Sequence, residues 1–249
     1  MQLDRQLDGG GASAPGSRDF TPALPVLGLY DLVVRLAARE HVWRAAALRR
    51  LAPADHDVIV DAGCGTGTFL ARIGQAAPGA TLIGVDPDER VLGRARSKLA
   101  RAGVTTRLEL GYLSDLVAQL GGATATKVTS SLVLHQVPLV EKRAGIAAFH
   151  ALLVPGGKLV VADYGRQRTM AMRTLFKLVQ CVDGFADTQP NADGILPDLL
   201  RAAGFVDVEE TDVFATATGS ISIYCATRPA GGALAAAPTP APAAKGARP

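Results

Sequence analysis

Cysteine is scarce in this chain, and long apolar runs are missing. The three cysteines, Cys64, Cys181 and Cys225, are odd in number and widely spaced, which fits neither a disulfide framework nor a zinc site and favours a reducing cytoplasm. The first residues, MQLDRQLD, lack the apolar core of a signal peptide, and no run reaches the ~18 uncharged apolar residues of a membrane span. We therefore expect a cytoplasmic protein that can touch a membrane surface without crossing it.

An excess of charge of one sign is also missing. The chain has 26 basic and 23 acidic residues, a net charge of +3, and the two signs are interspersed. Because there is no concentrated basic stripe, we expect no nucleic-acid partner. Apolar residues make up 48% of the chain and charged residues 20%, which indicates a folded globular protein.

Low-complexity sequence is confined to the two ends of the 249-residue chain. The tail over 229–249 is mostly Ala, Pro and Gly, and the start carries the run GGGASAPGS, so neither end offers much side-chain surface for burial. We predict a disordered segment over 1–20, a single domain over 21–228 and a disordered tail over 229–249. Within the domain, 27–50 is predicted to form a helical cap that precedes the sheet.

From residue 56 onward, short apolar runs alternate with segments of helical periodicity, which is typical of strand-helix units around a parallel sheet. Strands are predicted over 58–63, 81–86, 105–110, 127–134 and 158–164. Helices are predicted near 67–76, 88–103, 139–152, 168–181 and 193–203. Two further strands, over 205–214 and 219–228, are predicted to close the sheet as an antiparallel hairpin. The expected fold class is α/β, with a mostly parallel seven-stranded sheet and helices on both faces.

A glycine-rich turn, DAGCGTG over 61–67, joins the first strand to the following helix. Glycine has no Cβ, so the turn can adopt strained dihedral angles and let a ligand lie against the backbone, beside the free amides of a helix start. Asp86 ends the second strand, 21 residues after Gly65, where a carboxylate can accept hydrogen bonds from a ribose diol. These features predict a ligand that contains adenosine.

Two residues distinguish between the adenosine ligands. A dinucleotide site requires a third glycine at the position of Thr68, and Asp61 would repel a pyrophosphate as readily as it would attract an ammonium group. S-adenosylmethionine carries such an ammonium. A nicotinamide oxidoreductase is the disfavoured alternative, and a protein that binds S-adenosylmethionine without transferring its methyl group is a second one.

The motifs DAGCGTGT, GVDPD and LVPGGKLVVADYG resemble those of class I S-adenosylmethionine-dependent methyltransferases over roughly residues 27–228. LYDLVVRLAAREHVWR and SSLVLHQVP are similar to the ubiquinone/menaquinone biosynthesis C-methyltransferase branch. The resemblance implies a Rossmann-like fold and in-line methyl transfer from S-adenosylmethionine, without a metal, to a small-molecule or lipid-like acceptor. S-adenosylhomocysteine is then the product. The implied cofactor-binding residues are Asp61, Gly63, Cys64, Gly65, Thr66, Gly67, Asp86, Pro87, Tyr112, Leu113 and Ser131.

The adenine end of the implied site departs from the family pattern. The resemblance assigns the ribose hydroxyls to Asp86 and the lining of the adenine to Pro87 or Asp88. Where the family commonly has Gly-Asp-Ala after the third strand, this chain has Gly-Tyr-Leu, so Tyr112 supplies no carboxylate. Backbone groups of Tyr112 or Leu113, or the nearby Asp115, must replace it.

His135 is the candidate catalytic residue, because it follows the fourth strand at the carboxyl edge of the sheet. Its ordinary pKa near 6.5 suits a general base, and a structural hydrogen bond that fixes the loop is an equally open role. Four further residues are candidates for the substrate pocket, although core packing or solvent exposure explains them as well: Tyr30, His41, Tyr164 and Arg166.

Overall fold

A single seven-stranded sheet runs through residues 39–231, the part of the chain that the computed structural model describes. The strands are β1 Val58–Ala62, β2 Thr81–Asp86, β3 Arg107–Leu110, β4 Ala125–Ser131, β5 Leu153–Tyr164, β6 Val206–Thr216 and β7 Gly219–Thr227. Their order across the sheet is β3-β2-β1-β4-β5-β7-β6. The first five strands are parallel, and β7 is antiparallel to both of its neighbours. The predicted fold class and the closing hairpin are confirmed.

Helices cover both faces of this sheet. They are α1 Glu40–Leu51, α2 Thr68–Ala76, α3 Glu89–Arg101, α4 Leu116–Leu120, α5 Leu139–Leu152, α6 Met170–Asp183, α7 Phe185–Asp193 and α8 Leu196–Ala202. One core contains Trp43 of α1 and Phe176 of α6, and the other contains Phe149 of α5 and Leu200 of α8. Because the strand order reverses between β1 and β4, a crevice is expected at the carboxyl ends of these strands, and ligands bind at that position in open α/β sheets.

The fourth strand ends earlier than predicted. β4 stops at Ser131, because Leu132 has a left-handed backbone with φ of 56°, which breaks the strand. A short 3₁₀ helix over Leu134–Gln136 follows. We call residues 132–138 the β4 loop; it leads into α5.

The region after β5 also differs in detail from the prediction. The helix predicted over 193–203 begins at Leu196, and α7 was not predicted, because its sequence FADTQPNAD contains a proline and lacks apolar periodicity. Both α7 and the β4 loop lie near the carboxyl edge, and they pack against each other. The carboxyl edge is therefore covered by one helix, α7, that the sequence pattern did not predict.

The two ends predicted to be disordered lie wholly or largely outside the described residues, as do the first part of the helical cap and Tyr30. Those assignments stay predictions. Within residues 39–231, no helix combines the length and the apolar character needed to cross a membrane.

Candidate functional site

The glycine turn after β1 has the backbone that its sequence predicts. Gly63, Gly65 and Gly67 all have positive φ values, of 75°, 54° and 71°. A Cβ added to Gly65 would meet no atom within 4 Å, so open space lies against the backbone at this point. The turn can therefore admit a ligand close to its peptide groups.

Asp86 at the end of β2 is fixed against this turn. Its Oδ2 accepts a hydrogen bond from the Gly65 amide at 2.9 Å, and its Oδ1 accepts one from the Asp88 amide at 3.1 Å. Burial raises the pKa of Asp86, although both amide bonds favour the ionised form. Since a carboxylate oxygen has two lone pairs, each oxygen keeps one acceptor position for a diol.

Asp61 is the most unusual residue of the site. Its side chain is completely buried, and neither carboxylate oxygen has a hydrogen-bond partner within residues 39–231. Burial raises its pKa to about 7, against the attraction of the Arg44 guanidinium and with a further increase from Asp86. A buried carboxylate without partners is unfavourable, and the ammonium group of a ligand would satisfy it.

Arg44 of α1 is a functional candidate that the sequence did not single out. Its Nε donates to Glu40 at 2.6 Å, one terminal nitrogen donates to the Ser131 hydroxyl at 3.3 Å, and the guanidinium lies 4.5 Å from the Trp43 ring centre. Burial lowers its pKa, while Glu40 and Asp61 oppose that change. Arg44 and Asp61 thus place opposite charges near the turn, and they suit the zwitterionic end of an amino acid.

Two side chains of the turn have structural roles. The Cys64 thiol is buried and points towards Gly84 of β2, and burial raises its pKa far above the ordinary range. The Thr66 hydroxyl accepts a hydrogen bond from Lys98 at 2.8 Å, and Lys98 also donates to Thr68 at 2.6 Å. Thr68, which stands where a dinucleotide site has glycine, is therefore part of a polar contact between α2 and α3.

The predicted adenine residues occupy the rim of the turn. Pro87 is exposed and Tyr112 is 45% exposed. The Leu113 side chain is half-buried and packs against Gly145 of α5. Asp88 caps α3 by accepting from two backbone amides, so its Oδ1 is already used.

His135 lies in a different environment from the one its ordinary pKa would suggest. It is 5% exposed, with Nδ1 2.7 Å from Asp163 Oδ1 and Nε2 3.3 Å from Asp183 Oδ2. Burial alone would lower its pKa, but the two carboxylates outweigh burial and raise the pKa to about 9. The two carboxylates thus move the pKa of His135 away from its ordinary value near 6.5, and its catalytic role stays a prediction.

The described candidates for the substrate pocket do not form one cluster. Tyr164 is buried beside His135, with ring centres 4.9 Å apart, and its hydroxyl lies 2.8 Å from that of Thr218. His41 and Arg166 are both exposed, the first on α1 and the second just after β5. Of these candidates, the structure brings Tyr164 alone into contact with His135.

Comparison with known proteins agrees with this geometry. The methyltransferase-domain family matches residues 59–157, the stretch from β1 to the start of β5. Demethylmenaquinone methyltransferase of Clavibacter sepedonicus is 29% identical over 221 residues, which cover 81% of this chain and 85% of that protein. The ubiquinone/menaquinone biosynthesis C-methyltransferase of Syntrophotalea carbinolica is 30% identical over 150 residues, 59% of this chain and 62% of that protein.

A solved structure shares the fold. Magnesium protoporphyrin IX methyltransferase from Synechocystis, determined with bound S-adenosylhomocysteine, superposes with a TM-score of 0.56 at 24% identity and covers 81% of this chain and 84% of that one. Thr68 and Asp61 argue against a nicotinamide enzyme, because the first replaces a glycine of the dinucleotide turn and the second would repel a pyrophosphate. The sheet order, the glycine turn and these similarities together identify the chain as a class I S-adenosylmethionine-dependent methyltransferase.

Proposed function

We propose that this methyltransferase acts in the cytoplasm on a small, apolar, lipid-like acceptor of the quinone type. The observation that carries the proposal is the similarity to a demethylmenaquinone methyltransferase, which extends over 81% of this chain and so includes more than the cofactor half. The acceptor would bind at the carboxyl ends of β4 and β5, the part of the edge next to the glycine turn.

The surface of α6 supports an apolar acceptor. Four apolar side chains, spaced three or four residues apart, are 38–52% exposed along one side of this helix and just beyond it: Leu175, Leu178, Val182 and Phe185. The basic residues Arg173 and Lys177 lie on another side of the helix and are also exposed. Asp183 of the same helix contacts His135, so this apolar surface adjoins the carboxyl edge. An acceptor delivered from a membrane surface fits such a neighbourhood.

The cofactor roles follow from the charges and acceptors of the site. S-adenosylmethionine supplies an electrophilic methyl group on a sulfonium. We assign its ammonium to Asp61, its carboxylate to Arg44, its ribose hydroxyls to Asp86, and a close backbone approach to Gly65. Since the leaving group of such a transfer is neutral, the protein mainly has to align two reactants, and alignment can contribute about 7–11 kcal/mol.

The test uses methyl-labelled S-adenosylmethionine and mass spectrometry. We expect label in demethylmenaquinone presented in lipid vesicles and none in a water-soluble phenol at the same concentration. The Asp86→Ala variant serves as the control with weakened cofactor binding. Label in the phenol alone would contradict the apolar acceptor. Binding of S-adenosylhomocysteine without labelled product from any metabolite extract would favour the alternative that binds the cofactor but transfers no methyl.

A further inference from the structure

A buried network of charged side chains lies beneath the β4 loop. Asp163 at the end of β5 has no exposed surface and accepts four hydrogen bonds. Its Oδ2 accepts from the amides of Val133 and Leu134, and its Oδ1 accepts from the Tyr164 amide and faces His135 Nδ1. One carboxylate thus fixes the backbone of the loop that carries His135.

This loop is pressed onto the cofactor turn. A Cβ added to Gly63 would lie 2.3 Å from Val133 Cγ2, so Val133 fills the space that the glycine leaves. Leu132, the residue before it, has a left-handed backbone with φ of 56°, which is strained for leucine. The bonds to Asp163 are what hold the loop in this conformation.

His135 connects the loop to α6. A neutral imidazole has one N–H and can donate to one acceptor, but here both ring nitrogens face carboxylates, at 2.7 Å from Asp163 and 3.3 Å from Asp183. The Nδ1 contact is a hydrogen bond and the Nε2 contact is an ion pair, and only the imidazolium is attracted to both carboxylates at once. The Tyr164 ring packs edge-to-face against the imidazole, with an interplanar angle of 78°.

Lys142 makes the corresponding connection to α7. It lies on α5, has no exposed surface, and its Nζ donates to the carbonyls of Val137 at 2.6 Å, Asp187 at 2.6 Å and His135 at 3.4 Å. These three carbonyls belong to the β4 loop and to α7. Burial lowers the pKa of Lys142 to about 8, against the attraction of Asp163 and Asp187.

We propose that His135 is a positioning residue, whose imidazolium ties α6 to the β4 loop while Lys142 ties α7 to it, so that the two connections together set the shape of the acceptor pocket. This assignment rests on methyl transfer at the carboxyl edge, and not on which acceptor is used. It replaces a general base at His135, since a base needs a free nitrogen lone pair. The charged and titratable groups that face His135 and Lys142 come from β5, α6 and α7. They are Asp163, Tyr164, Asp183 and Asp187.

The first experiment reads the protonation of His135 directly. The chain has four histidines, so the ¹⁵N imidazole signals of the full chain can be assigned by substitution. We expect His135 to be protonated on both nitrogens at about pH 7.5 and to titrate near pH 9. Asp183→Asn should lower that pKa by about one unit, whereas Asp198→Asn, an exposed change on α8, should leave it unchanged. A neutral His135 at about pH 7.5 would overturn the proposal.

Two substitutions separate the contact of His135 with Asp163 from its contact with Asp183. His135→Asn keeps a donor near the position of Nδ1, towards Asp163, and His135→Gln keeps one near Nε2, towards Asp183. In hydrogen exchange, we expect His135→Asn to leave the exchange of the β4 loop unchanged and to speed that of α6 about tenfold. His135→Gln should speed exchange in the β4 loop about tenfold and leave that of α6 unchanged. Unchanged exchange in both variants would contradict the tie. Neither this measurement nor the titration requires an acceptor, so both remain decisive if the proposed acceptor is wrong.

Turnover with an acceptor that is methylated gives the third readout. We expect the rate to be steady at neutral pH and to fall as pH rises through about 8 to 9, because Lys142 and then the imidazolium lose their protons. A general base would give the opposite slope. His135→Asn and His135→Gln should raise the KM for the acceptor about tenfold and leave S-adenosylhomocysteine binding unchanged. A loss of about 1000-fold in kcat, with unchanged acceptor KM and unchanged exchange, would establish the base instead.

Discussion

Asp61 and Asp163 sit at the carboxyl ends of β1 and β5, both completely buried, yet their surroundings are opposite. Neither oxygen of Asp61 has a hydrogen-bond partner within the described residues, whereas Asp163 accepts four hydrogen bonds. An unpaired buried carboxylate is unfavourable, so Asp61 lowers stability until it takes up a proton or a partner binds, whereas breaking the bonds to Asp163 would be destabilising. The end of the edge at β1 thus has an unsatisfied group that a ligand can pair with, and the end at β5 is held by its own residues.

The largest expected effect is the loss of stability in the Asp163→Asn variant relative to the unchanged protein. All groups around this carboxylate are donors, so neither orientation of an amide can satisfy them, and its NH₂ must face two N–H groups. We expect the free energy of unfolding to fall by about 3–5 kcal/mol, measured by urea denaturation. Equal stability of Asp163→Asn and the unchanged protein would remove the contrast between the two aspartates.

Asp61→Asn should weaken ligand binding without lowering the stability of the protein. The change removes a buried charge without breaking a described hydrogen bond, so the unfolding free energy should stay the same or rise. Binding of S-adenosylhomocysteine should weaken about 100-fold, or about 2.8 kcal/mol, because the ammonium loses its carboxylate. Calorimetry and urea denaturation of the same sample measure both effects. Full affinity in this variant would show that the ammonium binds elsewhere.

Asp86→Asn tests the ribose acceptor with a smaller expected effect. The amide keeps one acceptor oxygen but presents a donor to the other backbone amide, so we expect affinity for S-adenosylhomocysteine to fall about 20-fold, or about 1.8 kcal/mol. Asp88→Asn is the matched control, because asparagine also caps a helix and the residue already binds two amides of α3. A similar loss in both variants would assign the effect to the loop or to the adenine lining, and not to the diol.

The smallest effect is the dependence of cofactor binding on pH. Because the pKa of Asp61 is raised to about 7 in the free protein, its carboxyl group gains a proton as pH falls through that value and can no longer pair with an ammonium. Affinity for S-adenosylhomocysteine should therefore be roughly tenfold weaker at about pH 5.5 than at about pH 7. Calorimetry at both values checks this, and Asp61→Asn should flatten the dependence. A flat profile in the unchanged protein would mean that Asp61 is ionised throughout.

The sequence predicted those parts of the candidate site whose residues lie close together in the chain. The turn with Gly63, Gly65 and Gly67 and the acid Asp86 occupy fixed places in one strand-helix-strand unit, so their spacing was sufficient. Arg44 had no such signal, since nothing distinguishes it from the other arginines of its helix. It takes its role from contact with Ser131, 87 residues away.

Lys142 and Asp183 were hidden for a related reason. Helical periodicity reports which face of a helix is apolar, but it does not report that a lysine will be buried against three carbonyls. His135 was found by its place after β4, and the shift of its pKa was not predicted, because the two carboxylates that cause it come from β5 and α6. Long-range pairing of charges is decided by the packing of elements.

The contact between Val133 and Gly63 couples the glycine turn and the β4 loop sterically. Any side chain at position 63 would displace the loop, and any bulkier residue at position 133 would push the turn away from its ligand. Position 63 is therefore expected to stay glycine, and position 133 to carry a side chain no larger than valine. An engineer who transplants a new acceptor loop into this scaffold would have to bring along a residue shaped like valine at that one place.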